Sequence, residues 1–229
     1  MIQALSVPKR SPKQFKSQIV RLSGVAWQDY LRLVRAFDER HDVRLTYDRG
    51  ELEIISPKLN QLGGGRFLGT QVFVLTDELG LPLKRGGSTT MRSRLKQRGI
   101  ESDECFWIAN ALRMAGRRDL NLDRDPPPDL AIEVDVANSS LDRLTIYAAL
   151  CVPEVWRLEG KILIFYLLGD DGTYKIVSHS LTFPKVTPAD ILGFLEEARE
   201  AGDENVVIRR FRKWIRKRHA KSGRRSKPS

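Results

Sequence analysis

Apolar and polar residues alternate along PPPDLAIEVDVANSS, residues 126–140. At the two-residue period of a β-strand, Leu130 and Ile132 fall on one face, and Glu133 and Asp135 fall on the other. Three prolines before this stretch and Asn-Ser-Ser after it are typical of strand ends. The pattern predicts a strand that carries two acids on one side.

Two interpretations of this acidic face stay open at the level of sequence. Inside a sheet, even a neutral polar group without a partner costs roughly 2–7 kcal/mol, so buried carboxylates would need a cation. On an edge strand, the same acids would simply lie in water. The first interpretation predicts a metal site, and the second predicts a solvated surface.

Periodicity predicts the other elements in order. An amphipathic helix is expected over 25–40 and a hairpin over 43–56 with its turn at 48–50; Glu51 and Glu53 share one face of the second hairpin strand. Further predictions are a helix over 66–79, two strands over 81–95 and 102–109 joined by a turn at 97–99, and an irregular loop over 110–128. A helix capped by Ser139, three hairpin-linked strands over 154–178 and helices over 188–199 and 205–218 complete the chain.

Charge is distributed unevenly along the 229 residues. The net charge is +10, but residues 209–229 hold 11 Lys or Arg and no acid, and residues 1–22 hold five and no acid. The remaining 23 cations face 29 acids, so the body at 23–208 is acidic. We predict one domain at 23–208 between a flexible basic arm at 1–22 and a basic helix end and disordered tail at 209–229. The termini either attract phosphate or serve solubility.

Several classes of protein are disfavoured by the composition. No apolar run approaches the ~20 residues of a membrane helix, and the N-terminal stretch lacks a signal-peptide core, so a cytoplasmic protein is expected. Cys105 and Cys151 have no partner at metal spacing and are expected to be buried thiols. Zinc and disulfides are therefore not expected.

Two acids that are distant in sequence are predicted to meet. Asp103 begins its strand and Glu133 lies late in its own, so antiparallel neighbours would place the two carboxylates together. Few and partly exposed oxygen ligands suit Mg²⁺, which keeps several waters and takes one or two carboxylates plus substrate phosphates. The sequence thus predicts a divalent-ion site at these strand ends.

Four ordered segments carry a resemblance: VRLTYDRGELEIISP, SDECFWI, RRDLNLDRDPPPDLAIEVDVANSSLDRLTIYAAL and VPEVW. Over about residues 24–200 they resemble the Uma-two-type restriction endonuclease family, a branch of the PD-(D/E)XK nuclease superfamily. The resemblance implies an α/β (α+β) fold, a restriction-endonuclease-like mixed β-sheet flanked by helices, here with an N-terminal helix and a basic C-terminal helix. It also implies hydrolysis of DNA phosphodiesters with Mg²⁺ or Mn²⁺.

The same resemblance assigns residues. Asp103 and Glu133 match the family's metal-binding acids, and Glu51 matches its glutamate after the hairpin turn. The superfamily's signature lysine is replaced by Asp135, a candidate second-metal ligand, and the cation on the following helix matches Arg143. Arginine can stabilise the phosphate but, with a pKa above about 12, cannot accept a proton. For Arg143 the alternative is a surface helix arginine paired with Asp142 or a neighbour. For Glu51 the alternative, a half-exposed hairpin residue, is the favoured interpretation.

Three functions stay open. The first is a metal-dependent DNA endonuclease. The second is a nucleic-acid-binding module on the same fold with weak or no turnover, and the third is a nuclease directed to RNA or to repair. The replaced lysine, together with Gln61 where the family usually has histidine, favours the second more than an intact motif would. A homodimer is an open assembly, and sequence preference has no recognisable signal.

Overall fold

The computed structural model describes residues 18–37, 43–56, 59–117, 120–134 and 139–220. The strands are β1 (Gln18–Leu22), β2 (Arg44–Asp48), β3 (Glu51–Ser56), β4 (Lys84–Arg85), β5 (Thr90–Ser93), β6 (Arg98–Glu101), β7 (Glu104–Trp107), β8 (Leu130–Val134), β9 (Glu154–Glu159), β10 (Ile162–Leu168) and β11 (Tyr174–Val177). The helices are α1 (Trp27–Ala36), α2 (Leu59–Leu79), α3 (Arg143–Ala149), α4 (Pro188–Glu200) and α5 (Glu204–Ala220), with a 3₁₀ turn at Leu112–Met114.

Two sheets organise these elements. The first has the order β1-β3-β2-β6-β5 and is antiparallel throughout, and the second has the order β11-β10-β9-β8-β7-β4. In the second sheet only β8 and β9 run parallel, because α3 connects them. The result is a mixed α+β fold with a helix near each end of the described chain.

The second sheet is covered on both faces. On one face, Phe106, Ile132 and Trp156 pack in a cluster with apolar residues of α2, α4 and α5. On the other face, Cys105 and Ala131 pack with residues of α3 and of the first sheet. The strand β8 is therefore central, and all five of its residues are buried as predicted for a strand inside a sheet.

The region 81–109 differs from its prediction. It forms four strands in two sheets, and the turn expected at 97–99 is wrong because Arg98 and Gly99 lie within β6 and pair with both β2 and β5. Glycine is required at 99 by close packing, since a Cβ there would collide with the ring of Tyr30. The chain instead reverses just before Arg98, at Gln97, whose φ of 51° is left-handed.

Three further predictions need correction. Residues 18–22 of the expected arm form β1, which pairs with β3, while residues 1–17 lie outside the described residues. The cap of α3 is Asp142, whose carboxylate accepts the Leu144 and Thr145 N–H groups, and not Ser139. Cys151 is exposed, because the chain turns away from α3 there with a φ of 61°.

The basic helix α5 is part of the folded domain. Its apolar face is buried against α2 and α4 through Val207, Phe211 and Ile215. Its polar face is largely neutralised, as Arg212 and Arg216 both bind Glu78 on α2. These hydrogen bonds hold the pKa of the Glu78 carboxyl at about 2. Part of the basicity of residues 209–220 is therefore paired with acids of the folded domain, which the sequence did not indicate.

No helix in the described ranges is both long enough and apolar enough to cross a bilayer.

Candidate active site

Asp103 and Glu133 lie beside each other at one end of the second sheet. Strands β7 and β8 are antiparallel with Glu104 opposite Ile132, so one further step of the register sets Asp103 opposite Glu133. The Val134 N–H donates to Asp103 Oδ2 at 2.7 Å, and the Asp103 N–H donates to the Ile132 carbonyl at 3.1 Å. Both side chains are about 4% exposed. The interpretation of a solvated acidic edge is thereby excluded.

Arg143 occupies the centre of this site. As the first residue of α3 it directs its guanidinium inward, where Nη2 lies 2.6 Å from Glu133 Oε1. Nη1 donates to the Thr46 hydroxyl at 2.5 Å, and Nη2 donates to the Glu101 carbonyl at 2.8 Å. The alternative of a surface arginine is wrong, because the Arg143 side chain is 10% exposed and pairs with the buried Glu133, while the Asp142 carboxylate caps the helix.

A second arginine, Arg44, forms an ion pair with Asp103. Its side chain is 5% exposed, although it extends from β2 in the first sheet to an acid of the second. Sequence analysis missed this residue. The available signal was a cation inside the apolar strand segment VRLTY, which is costly to bury unless it meets an anion.

Tyr147 fixes the remaining oxygen of Glu133. It lies one turn after Arg143 on α3, is fully buried, and donates its hydroxyl to Glu133 Oε2. The helical spacing of four residues places both donors on the same side of α3, which faces β8. The sequence predictions do not include Tyr147 among the site residues.

Burial dominates the electrostatics of this cluster. It raises the pKa of Glu133, and the negative charge of Asp103 adds to the effect while Arg143 opposes it. Burial would lower the pKa of Arg143. Glu133, Tyr147 and Asp103 together raise this pKa above its usual value, so the guanidinium stays charged. Burial also raises the pKa of Glu101 to about 7, against the influence of Arg44 and Arg143.

The structure distinguishes between the two glutamates of β3. Glu51, the predicted site residue, is exposed beside the hairpin turn, where the Ser23 hydroxyl donates to it at 2.8 Å. Glu53 is 1% exposed and accepts hydrogen bonds from the hydroxyls of Ser139 and Ser140 at 2.6 Å each. Burial would raise the pKa of Glu53, but these bonds and Arg21 lower it. Glu53 thus anchors the chain beyond β8, whereas Glu51 accepts a hydrogen bond from Ser23, and its role in the site stays a prediction.

Asp135, the other predicted acid, lies outside the described residues. The side chain of Gln61 likewise lies outside them.

The donor set at Asp103 and Glu133 fits a divalent ion that prefers oxygen. Both side chains are carboxylates at adjacent strand ends, and the buried Glu133 Oε1 makes an ion pair but no aligned hydrogen bond, so it keeps acceptor capacity. Within the described ranges, no three His, Cys, Asp or Glu side chains are grouped to hold a metal. Mg²⁺ is typically bound by one or two protein carboxylates, with water and substrate as its other ligands.

The glycine run of α2 lies against this site. A Cβ at Gly65 would be 3.2 Å from Asp103 Cβ and 3.5 Å from Val134 Cγ2, whereas a Cβ at Gly63 would meet nothing within 4 Å. Close approach to Asp103, rather than a weak helix start, therefore explains glycine at 65.

Gly63→Ala should raise the free energy of unfolding by about 0.5–1 kcal/mol, because alanine is the better helix former and has room. Gly65→Ala has the same propensity gain but should be neutral or destabilising, since overpacking typically costs about 1–3 kcal/mol. Urea unfolding followed by circular dichroism measures both. Equal stabilisation by the two substitutions would contradict the packing against Asp103.

Comparison with known proteins identifies the family. A family model named Uma2, described as "Putative restriction endonuclease", matches residues 27–196. The chain belongs to the Uma2 family. The resemblance found in the sequence is thereby confirmed, and the match includes both acids, Arg143 and the hairpin. The family description is that of a nuclease.

A solved structure shares the fold. It is the crystal structure of a "putative nuclease belonging to DUF820" from Anabaena variabilis, with a TM-score of 0.50 and 13% sequence identity over 75% of this chain and 99% of that one. The predicted restriction-endonuclease-like fold is confirmed. A search of curated proteins finds no match. The cytoplasmic location and the homodimer stay predictions.

Proposed function

We propose that this Uma2 chain is a divalent-metal-dependent endonuclease that hydrolyses DNA phosphodiester bonds. The observation that carries the proposal is the buried pair of carboxylates, Asp103 and Glu133, on adjacent strands of a domain whose family is described as a nuclease. Fold alone would not support it, because one fold hosts many functions.

Asp103 and Glu133 would hold Mg²⁺ or Mn²⁺, with the backbone carbonyl of Val134 as a further candidate ligand. When bound, such an ion polarises the phosphate and lowers the pKa of a coordinated water. The role of Asp135 as a second-metal ligand stays a prediction.

The surrounding residues orient these carboxylates. The Val134 N–H fixes Asp103, and the Tyr147 hydroxyl fixes Glu133. Such hydrogen bonds around ligands typically contribute 10- to 100-fold in metal affinity or activity. Arg143 is a charged donor beside the same acids and would stabilise negative charge on the phosphate. It cannot accept the proton of the attacking water.

The alternative is a nucleic-acid-binding module with weak or no turnover. It is favoured by one observation: each carboxylate of the pair already has a guanidinium partner, Arg44 or Arg143. A nuclease that acts on RNA with the same chemistry is a further outcome of the test below.

A plasmid-nicking assay tests the proposal. The wild-type chain should relax supercoiled DNA with Mg²⁺ or Mn²⁺ and not with EDTA, and Asp103→Asn and Glu133→Gln should each lose nearly all of this activity. A labelled RNA of matched length tests the alternative substrate.

The matched control is Glu196→Gln, which removes one carboxylate from an exposed ion pair with Arg199 on α4. It should nick like the wild type. DNA binding without nicking by the wild type at any metal concentration would support the binding module instead. Folding of each variant is verified by circular dichroism, because both site substitutions remove a charge that balances a buried arginine.

A further inference from the structure

Two arginines match the two carboxylates of the candidate pair without any ion, and the Glu101 carboxyl beside them, whose pKa burial raises to about 7, carries at most part of a further negative charge. Asp103 and Glu133 contribute two negative charges, and Arg44 and Arg143 contribute two positive charges, with all four side chains at most 10% exposed. In a buried site the effective dielectric constant is low, so such charges interact strongly. Adding a divalent ion would leave two uncompensated positive charges next to the sheet end.

The two arginines are held differently. Arg143 has three acceptors on three elements: Glu133, the Thr46 hydroxyl and the Glu101 carbonyl. Arg44 donates through Nη1 to Asp103 Oδ1, and the buried Nε of each arginine has no hydrogen-bond partner among the described residues. Within that part of the chain, Arg44 therefore has fewer bonds to lose than Arg143, and it occupies the oxygen that the Val134 N–H leaves open.

The geometry points to Arg44 as a competitor of the metal, and we propose that it holds Asp103 in the ion-free protein and is released to a nucleic-acid phosphate when the ion binds. This inference rests on the proposed function and names how the same site is regulated. It makes metal binding and nucleic-acid binding mutually dependent, because phosphates restore the charge balance that the ion disturbs.

The released guanidinium suits a phosphate. Arginine presents planar donors that match a phosphate in a bidentate manner, and charge-assisted bonds of this kind are roughly twice as strong as neutral ones. By linkage, a nucleic acid that binds Arg44 raises the affinity for the ion by the same factor by which the ion raises the affinity for nucleic acid. The ion alone should bind weakly.

Binding of Mn²⁺ alone, measured by isothermal titration calorimetry and by the loss of the free-ion paramagnetic resonance signal, tests the competition without any turnover. Arg44→Met should bind Mn²⁺ roughly tenfold or more tightly than the wild type, since the competing cation is gone. Unchanged or weaker binding would overturn the proposal and leave Arg44 a structural partner of Asp103.

Arg44→Met removes a buried charge and could fail to fold, so a second measurement uses the wild-type chain. Its Mn²⁺ affinity is determined with and without a phosphorothioate duplex that resists hydrolysis. We expect the duplex to raise the affinity about tenfold, and an affinity that the duplex leaves unchanged would overturn the proposal. Glu196→Gln is the matched comparison, because it removes a charge from an ion pair on α4 outside the site and should retain the enhancement.

The two proposals fail separately. Nicking by the wild type with equal Mn²⁺ affinities in wild type and Arg44→Met would reject the competition and keep the nuclease. Tighter Mn²⁺ binding by Arg44→Met without any nicking would reject hydrolysis and keep the competition.

Discussion

Replacing Arg143 by leucine should lower the free energy of unfolding by about 3–5 kcal/mol. The substitution leaves the Glu133 carboxylate buried at 4% exposure without its cation. It also removes the donors to the Thr46 hydroxyl and the Glu101 carbonyl. Breaking a buried pair from one side is costly because the remaining charge has neither water nor an opposite charge to compensate it. Urea unfolding at neutral pH measures the loss.

Arg32→Leu is the matched control for this prediction. Arg32 also pairs with an acid, Asp29, at 2.7 Å, but its side chain is 77% exposed. Exposed ion pairs typically contribute up to about 1 kcal/mol, so this variant should unfold almost like the wild type. Arg143→Lys should fall between the two, because lysine keeps the charge and loses the fork of donors. Equal losses of stability in Arg143→Leu and Arg32→Leu would mean that the buried ion pair stabilises the fold no more than the exposed one.

Deleting residues 209–229 should prevent folding. The deletion removes Phe211 and Ile215, each 1% exposed, from the cluster that covers one face of the second sheet. Loss of a buried Phe or Ile side chain typically costs about 3–5 and 2–5 kcal/mol. Their sum is comparable with the entire stability of an ordinary domain, about 5–15 kcal/mol. Circular dichroism and thermal unfolding of the purified fragment test this expectation.

A chain that ends at Ala220 is the control, since it keeps all of α5. It should unfold within a few degrees of the full chain, and equal stability of both truncated forms would contradict the packing of α5. The same variant tests the tail, which carries four Lys or Arg over 221–229. Each phosphate contact that it loses should reduce the salt slope of DNA binding by about 0.9.

The elements of the chain were predictable where side chains follow a simple period. The hairpin at β2 and β3, the strand β8 and the helices α4 and α5 all appear near their expected positions. The predictions were wrong where a glycine or the residues next to a position in sequence suggested the structure. A glycine such as Gly99 signals a turn in sequence, but here it allows Tyr30 to pack against a strand. Cys151 has apolar neighbours in sequence, and a left-handed turn exposes it.

The candidate site was predictable in part. Strand direction alone indicated that Asp103 and Glu133 would meet, and β7 and β8 are indeed antiparallel neighbours. The strand period alone could not show which of Glu51 and Glu53 is buried, because residues two apart on a strand share a face. The difference in their burial comes from Ser139 and Ser140, which bind Glu53 from a segment 86 and 87 residues away.

The sequence by itself determined most of the strands and helices and the acids at the strand ends, because side-chain direction repeats with the local period of the backbone. Its ordered segments also determined the family. Only the tertiary structure decided that Arg44 reaches Asp103 from another sheet and that α5 binds Glu78. Contacts between elements distant in the chain depend on how whole faces pack against each other. A charged residue in an apolar strand segment indicates that a partner of opposite charge is needed. The packing of the two sheets determines which residue becomes that partner.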